Sequence, residues 1–100
     1  MRFMNDQELM IELKDILDSY QLNNVQEIVL YQSFIGSSYL EIARNFDYDY
    51  NYIKEVGSKL WKLLSRRFKT KVSKKNLRAV IRKQHFAHLK ILEDATYNFR

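Results

Sequence analysis

Between residues 50 and 68 the chain places side chains able to read a duplex at helical spacing. Asn51, Lys54, Glu55, Ser58 and Lys59 project to one side of that segment, and Ile53, Val56 and Leu60 to the other. An asparagine amide on an exposed helix face has the donor and acceptor pattern to pair with adenine. A lysine there can donate to guanine or to a phosphate. Ser58 and Lys59 reach one turn further along the same face, which Glu55 shares. Lys62, Arg66 and Arg67 toward the far end are placed for backbone phosphates, as are Lys69, Lys71, Lys74 and Lys75 beyond it. Tyr48, Tyr50 and Tyr52 cluster at the start of the segment. Tyr50 is expected to face outward, with its phenol on a phosphate or a base, and Tyr48 to pack inward. These residues predict a nucleic-acid surface for which duplex DNA is the expected partner.

The charge distribution supports that expectation. The 100-residue chain carries a formal +5, yet residues 1–56 hold four basic and ten acidic side chains, a net of −6. Residues 57–100 hold thirteen basic and two acidic, a net of +11. Solubility asks only for mixed charge, whereas a strongly basic half suits a polyanion. A second reading fits the same numbers: a protein-interaction module whose basic half docks an acidic partner, or pairs head to tail with the acidic half of another copy.

Other chemistries find less support. His85 and His88 stand at i, i+3 on a helical pattern but lack a cysteine or carboxylate at ligand spacing, so no metal is expected. No phosphate-cradling glycine loop and no nucleophile with a base at recognisable spacing is present. Catalysis, a cofactor and a small-molecule substrate are therefore not expected. Trp61, the lone tryptophan, falls at a core position of its helix. The absence of cysteine, of an apolar run of ~20 residues and of a leader-like start predicts a cytoplasmic chain without membrane contact.

The elements that must hold these residues are helices. With no proline and two glycines, the chain lacks the turn chemistry of sandwiches and barrels, and an all-α fold of about five helices is predicted. Leu9, Leu13, Ile16, Leu17 and Tyr20 mark helix 6–20. Asn24 stands as the N-cap of helix 24–35, whose inward spacing reads Val25, Ile28, Val29 and Gln32 and which Gly36 closes. Ser38 and Glu41 form a capping box that opens helix 38–46, with Leu40, Ile42, Ala43 and Phe46 as its apolar positions. Asp49 caps helix 50–68, whose inward residues are Ile53, Val56, Leu60, Trp61, Leu63 and Leu64. Gly57 inside it costs about 1 kcal/mol relative to alanine, which points to close approach of another backbone. Residues 69–72 form a turn or a minimal wing, and Ser73 caps helix 74–93, with Leu77, Val80 and Ile81 inward. A short helix, a tight turn and a longer helix with a polar outer face are the parts of a helix-turn-helix.

Several stretches carry a family likeness. Leu22 to Leu30, then Gly36-x-x-Tyr39-x-Glu41-Ile42-Ala43, then Tyr52-Ile53-Lys54-x-Val56-Gly57-Ser58-x-Leu60-Trp61-Lys62-Leu63-Leu64-Ser65, then Val72 to Arg78, together resemble the N-terminal helix-turn-helix of vWA-MoxR-associated proteins. Related modules precede the nucleotide-binding domains of bacterial STAND signalling ATPases. More distantly the layout is similar to region 4 of sigma factors and to the LuxR-type output domain. The resemblance covers residues 22–80 and leaves helix 6–20 outside. It implies a DNA-binding-like fold that serves either DNA or an adaptor role at the front of such an ATPase. One helical domain over 1–93, with residues 94–100 as a tail or the start of a linker, follows from the same reading.

Overall fold

A computed structural model of the protein describes residues 5–84. Four complete helices follow in order: α1 (Asp6–Tyr20), α2 (Asn24–Phe34), α3 (Tyr39–Phe46) and α4 (Tyr50–Phe68). Residues 77–84 are helical too, the described part of a fifth helix, α5, and no strand occurs among the described residues. The all-α architecture expected from the sequence is the one formed. His85, His88 and the expected continuation of the fifth helix to residue 93 lie outside the described residues.

Each of the four helices starts where a short polar side chain can satisfy a free backbone N–H. Asn5 accepts from the Glu8 N–H at 2.9 Å, Asn23 from Gln26 at 2.8 Å, Ser38 from Glu41 at 3.1 Å and Asp49 from Tyr52 at 3.0 Å. Two of these are reciprocal boxes, since Gln26 accepts the Asn23 N–H and Glu41 accepts the Ser38 N–H, both at 3.0 Å. The cap of α2 is thus Asn23 rather than Asn24. Both asparagines have a suitable partner three residues on. Use of the first leaves Glu27 exposed in the first turn, beside the positive end of the helix.

Helix ends are sharper than composition suggests. Gly36 adopts φ +100° just after α2, the left-handed turn that glycine enters freely. Gln21, Asp47 and Lys69 end α1, α3 and α4 with positive φ as well. Aspartate tolerates that conformation best among the three, and Gln21 and Lys69 adopt it as left-handed C-caps.

Helix α4 is the centre of the packing, touching both α2 and α3, which also touch each other. One buried cluster joins Leu9, Leu13 and Ile16 of α1 to Val29, Leu30 and Phe34 of α2, Ile42 and Ala43 of α3, and Ile53, Leu60, Trp61 and Leu64 of α4. Leu22, Val72, Leu77, Val80 and Ile81 complete it. The inward face of α2 is therefore Val29, Leu30, Ser33 and Phe34, with Val25 and Ile28 half-buried, and not the spacing through Gln32. In α3 the expected apolar positions divide. Ile42 and Ala43 are buried, whereas Leu40 is 46% and Phe46 39% exposed. A two-turn helix lies on α4 by one narrow stripe, here Tyr39, Ile42 and Ala43 at i, i+3 and i+4.

Of the two forms open to residues 69–72, the chain takes the turn. Ser65 holds it: its hydroxyl accepts the Val72 N–H at 2.8 Å and donates to the Trp61 carbonyl at 2.7 Å. Ser73 and Asn76 then exchange bonds, Asn76 Oδ1 accepting the Ser73 N–H at 2.7 Å and Ser73 Oγ the Asn76 N–H at 3.3 Å. Residues 74–76 form a turn under this pair, so helix begins at residue 77 and not at 74. Arg78 ties α5 to α2 by donating to the Phe34 carbonyl at 3.0 Å while its guanidinium lies over the Phe34 ring.

Candidate nucleic-acid interface

Residues 47–49 join α3 to α4, the three-residue connection typical of a helix-turn-helix. The two helices are locked at one point. Gly57 leaves room for the Tyr39 ring, and a Cβ there would meet Tyr39 Oη at 2.6 Å and ring carbons at 2.8 and 2.9 Å. The close neighbour that the glycine admits is thus a side chain and not a backbone. One turn along, Trp61 Nε1–H donates to the same Tyr39 hydroxyl at 2.8 Å. Trp61 is core, as its spacing indicates. Tyr39 stands outside the apolar positions expected of α3, and of the residues around it only Gly57 hints at its place.

With the inner side of α4 committed to Ile53, Gly57, Leu60, Trp61 and Leu64, its opposite side faces solvent. Asn51, Glu55, Ser58, Lys62 and Arg66 are all exposed and, at i, i+4, i+7, i+11 and i+15, run along one face. Lys54 and Lys59 flank it, one on each side. Lys59 Nζ lies 3.0 Å from a Glu55 carboxylate oxygen, with both side chains well exposed. Such a pair contributes little to stability, and both groups separate easily. Lys54 Nζ sits 5.2 Å from the Tyr50 ring centroid. Tyr50 is outward and Tyr48 half-buried against the core, as expected; Tyr52, also exposed, tilts against Tyr48.

The remaining cations divide between two places. Lys69, Lys71 and Lys75 are exposed on the turn after α4. Lys74 is half-buried, its ammonium 5.5 Å from the centroid of the Tyr39 ring, on the flank where α3 begins. The Ser38 backbone N–H, and then the Ser38 hydroxyl, hold the Glu41 carboxyl below its usual range, and the Lys74 charge adds the smallest contribution in the same direction. Arg67 departs from the group. Its guanidinium stacks 5.2 Å from the Tyr20 ring of α1, beside Phe68, which also packs on Tyr20. Burial pushes the Tyr20 phenol up, and the Arg67 charge opposes that in part. Among the described residues no carboxylate pairs with Lys62, Arg66, Lys69, Lys71 or Lys75. A polar face with unpaired cations at its far end and on the following turn suits a phosphate-bearing partner.

Other sites are sparse among the described residues. No group of three or more metal-ligating side chains is present, and no helix is long and apolar enough to cross a membrane.

No curated protein and no solved structure matches the chain. A family model described as the vWA-MoxR associated protein N-terminal HTH matches residues 14–84. The match extends beyond the 22–80 of the residue-level likeness to take in the second half of α1 and all of the described α5. With its helix-turn-helix formed by α3 and α4, the chain belongs to the family of vWA-MoxR associated protein N-terminal helix-turn-helix domains.

Proposed function

We propose that this module binds duplex DNA, with α4 in the major groove and the cations of α4 and the following turn on phosphates. The exposed polar face of α4, from Asn51 to Arg66, carries the reading. A recognition helix needs an apolar side fixed to its own domain and a long-armed polar side free of it, and α4 has both. In this assignment Asn51, Lys54, Glu55, Ser58 and Lys59 face base edges. Tyr50, Lys62, Arg66, Lys69, Lys71, Lys74 and Lys75 hold the backbone, and Arg67, stacked on Tyr20, contributes at the margin. Binding, not catalysis, is the activity assigned.

Substitution of Lys54 by alanine tests the split between base and phosphate. Removing a base-reading side chain costs ~1–3 kcal/mol on one preferred sequence and little on random duplex. Uniform weakening makes Lys54 a phosphate ligand. Absence of any duplex affinity rejects the reading and favours the adaptor role.

A further inference from the structure

The side of α1 turned away from the core is not uniformly polar. Leu9, Leu13 and Ile16 face inward, Met10 and Leu17 are half-buried against the edge of the core, and Ile11 is exposed. Met10, Ile11 and Leu17, together with Leu13, Lys14 and Tyr31 of α2, line a groove of about 290 Å³ in which Lys14 is the single charged group. The groove continues into a second depression that shares Leu17 and Tyr31 and runs over Ile28 to Phe46, with Glu27 at its border. Ile11, at 64%, is the most exposed large apolar side chain of this strip, and Tyr31 and Phe46 are each 39% exposed.

We propose that this α1–α2 strip is a self-complementary docking face through which two copies of the chain associate about a two-fold axis. Two features select a second copy as the occupant. An exposed apolar side chain, Ile11, stands on the rim of the groove that it helps to line, so in an isologous contact each copy offers Ile11 to the groove of the other. The charges also complement each other. Lys14 and Glu27 have opposite sign and sit on different helices of the strip, and a two-fold passing between them sets Lys14 of one copy against Glu27 of the other. Nucleic acid does not suit this surface, because it is apolar and α1 exposes Asp15 and Asp18 beside it.

The strip is distinct from the polar face of α4. Val25 and Gln26 of α2 border α4 through a separate depression with Tyr52, Val56 and Lys59, whereas Ile28 and Tyr31 border the strip. Association through α1 and α2 therefore leaves the Asn51 to Arg66 face open. The pairing stands independently of the DNA reading.

Sedimentation velocity on the full chain over about a hundred-fold dilution tests the pairing. The mass should rise from 12.1 kDa toward twice that value with concentration, and the rise should persist in high salt, as apolar burial does. Ile11→Glu should remain a monomer throughout and melt as the wild type does at dilutions where it is monomeric, since the side chain is exposed. Lys14→Glu should weaken association, and adding Glu27→Lys in the same chain should restore it. A wild-type monomer at every concentration overturns the proposal, as does a dimer that survives Ile11→Glu. A dimer dissolved by salt but indifferent to Ile11→Glu assigns the contact to the basic half instead and equally overturns it. Duplex binding by the Ile11→Glu monomer is a separate readout, so failure of the pairing and failure of the DNA reading are told apart.

Discussion

The Trp61 indole N–H donates to the Tyr39 hydroxyl at 2.8 Å across the α3–α4 junction, directly over Gly57. This triple sets how far α4 stands from α3, and hence where the exposed face of α4 lies relative to the start of α3. A mid-helix glycine replaced by alanine ordinarily gains about 1 kcal/mol. Here the new Cβ would lie within 2.9 Å of three atoms of Tyr39, and overpacking of that kind costs about 1–3 kcal/mol. Gly57→Ala is expected to lower the urea midpoint at unchanged slope. Tyr39→Phe removes only the nearest of the three atoms, so Gly57→Ala should remain destabilising in that background. A gain in stability from Gly57→Ala in the wild-type chain would refute the packing described.

Ser65 fixes the turn after α4 through the backbone of Val72, a buried residue. Ser65→Ala leaves that N–H without its acceptor and should cost about 1–3 kcal/mol. Chemical denaturation measures it, and amide exchange at Val72 should quicken more than at the centre of α4. Equal protection in the two proteins would contradict the role.

Ser33 is the reverse case. It is buried in α2, and among the described residues its hydroxyl has no hydrogen-bond partner. Ser33→Ala removes a desolvated polar group at almost no loss of volume and should stabilise the fold by about 1 kcal/mol. A destabilisation of that size would show that the hydroxyl is satisfied in solution.

The Glu41 carboxyl is held below its usual range, chiefly by the Ser38 backbone N–H and then by the Ser38 hydroxyl. A carboxylate depressed in the folded state contributes stability that is complete above its unfolded value and is lost as pH falls through the folded one. Glu41→Gln keeps an acceptor for the Ser38 N–H but discards the charge. The variant should be less stable than wild type near neutral pH, and the two should converge as the solution is acidified below the carboxylate range. A stability gap that widens with acid would count against the capping box.

Much of this fold is legible in the residues because its signals are local. Ser38 with Glu41 and Asp49 before Tyr50 announce the starts of α3 and α4 from immediate neighbours, and Gly36 marks a stop through its own φ. The inward stripe of α4 follows from one period. What escaped depends on contacts distant in sequence. Leu40 and Phe46 have the spacing of core residues, but α3 is too short and too narrowly seated to bury them. Arg67 belongs to the basic run by order and to Tyr20 by contact. The Tyr39–Trp61 bond spans 22 residues: periodicity places Trp61 in the core but does not name Tyr39 as its partner. The polar face of α4 can be named from periodicity alone, whereas the pairing of Glu55 with Lys59 and the lean of Lys54 on Tyr50 emerge only from side-chain geometry.

The most direct measurement of the DNA reading is a fluorescence-polarisation titration of the chain against random duplex DNA across a series of salt concentrations. Binding through the cations of α4 and the following turn, with ~5 phosphates neutralised, predicts that log K falls with log salt at a slope of about −4.5. Lys62→Ala combined with Arg66→Ala should make that slope shallower by about 2, close to one unit for each phosphate no longer neutralised. Affinity indifferent to salt, or no binding at low ionic strength, would contradict it.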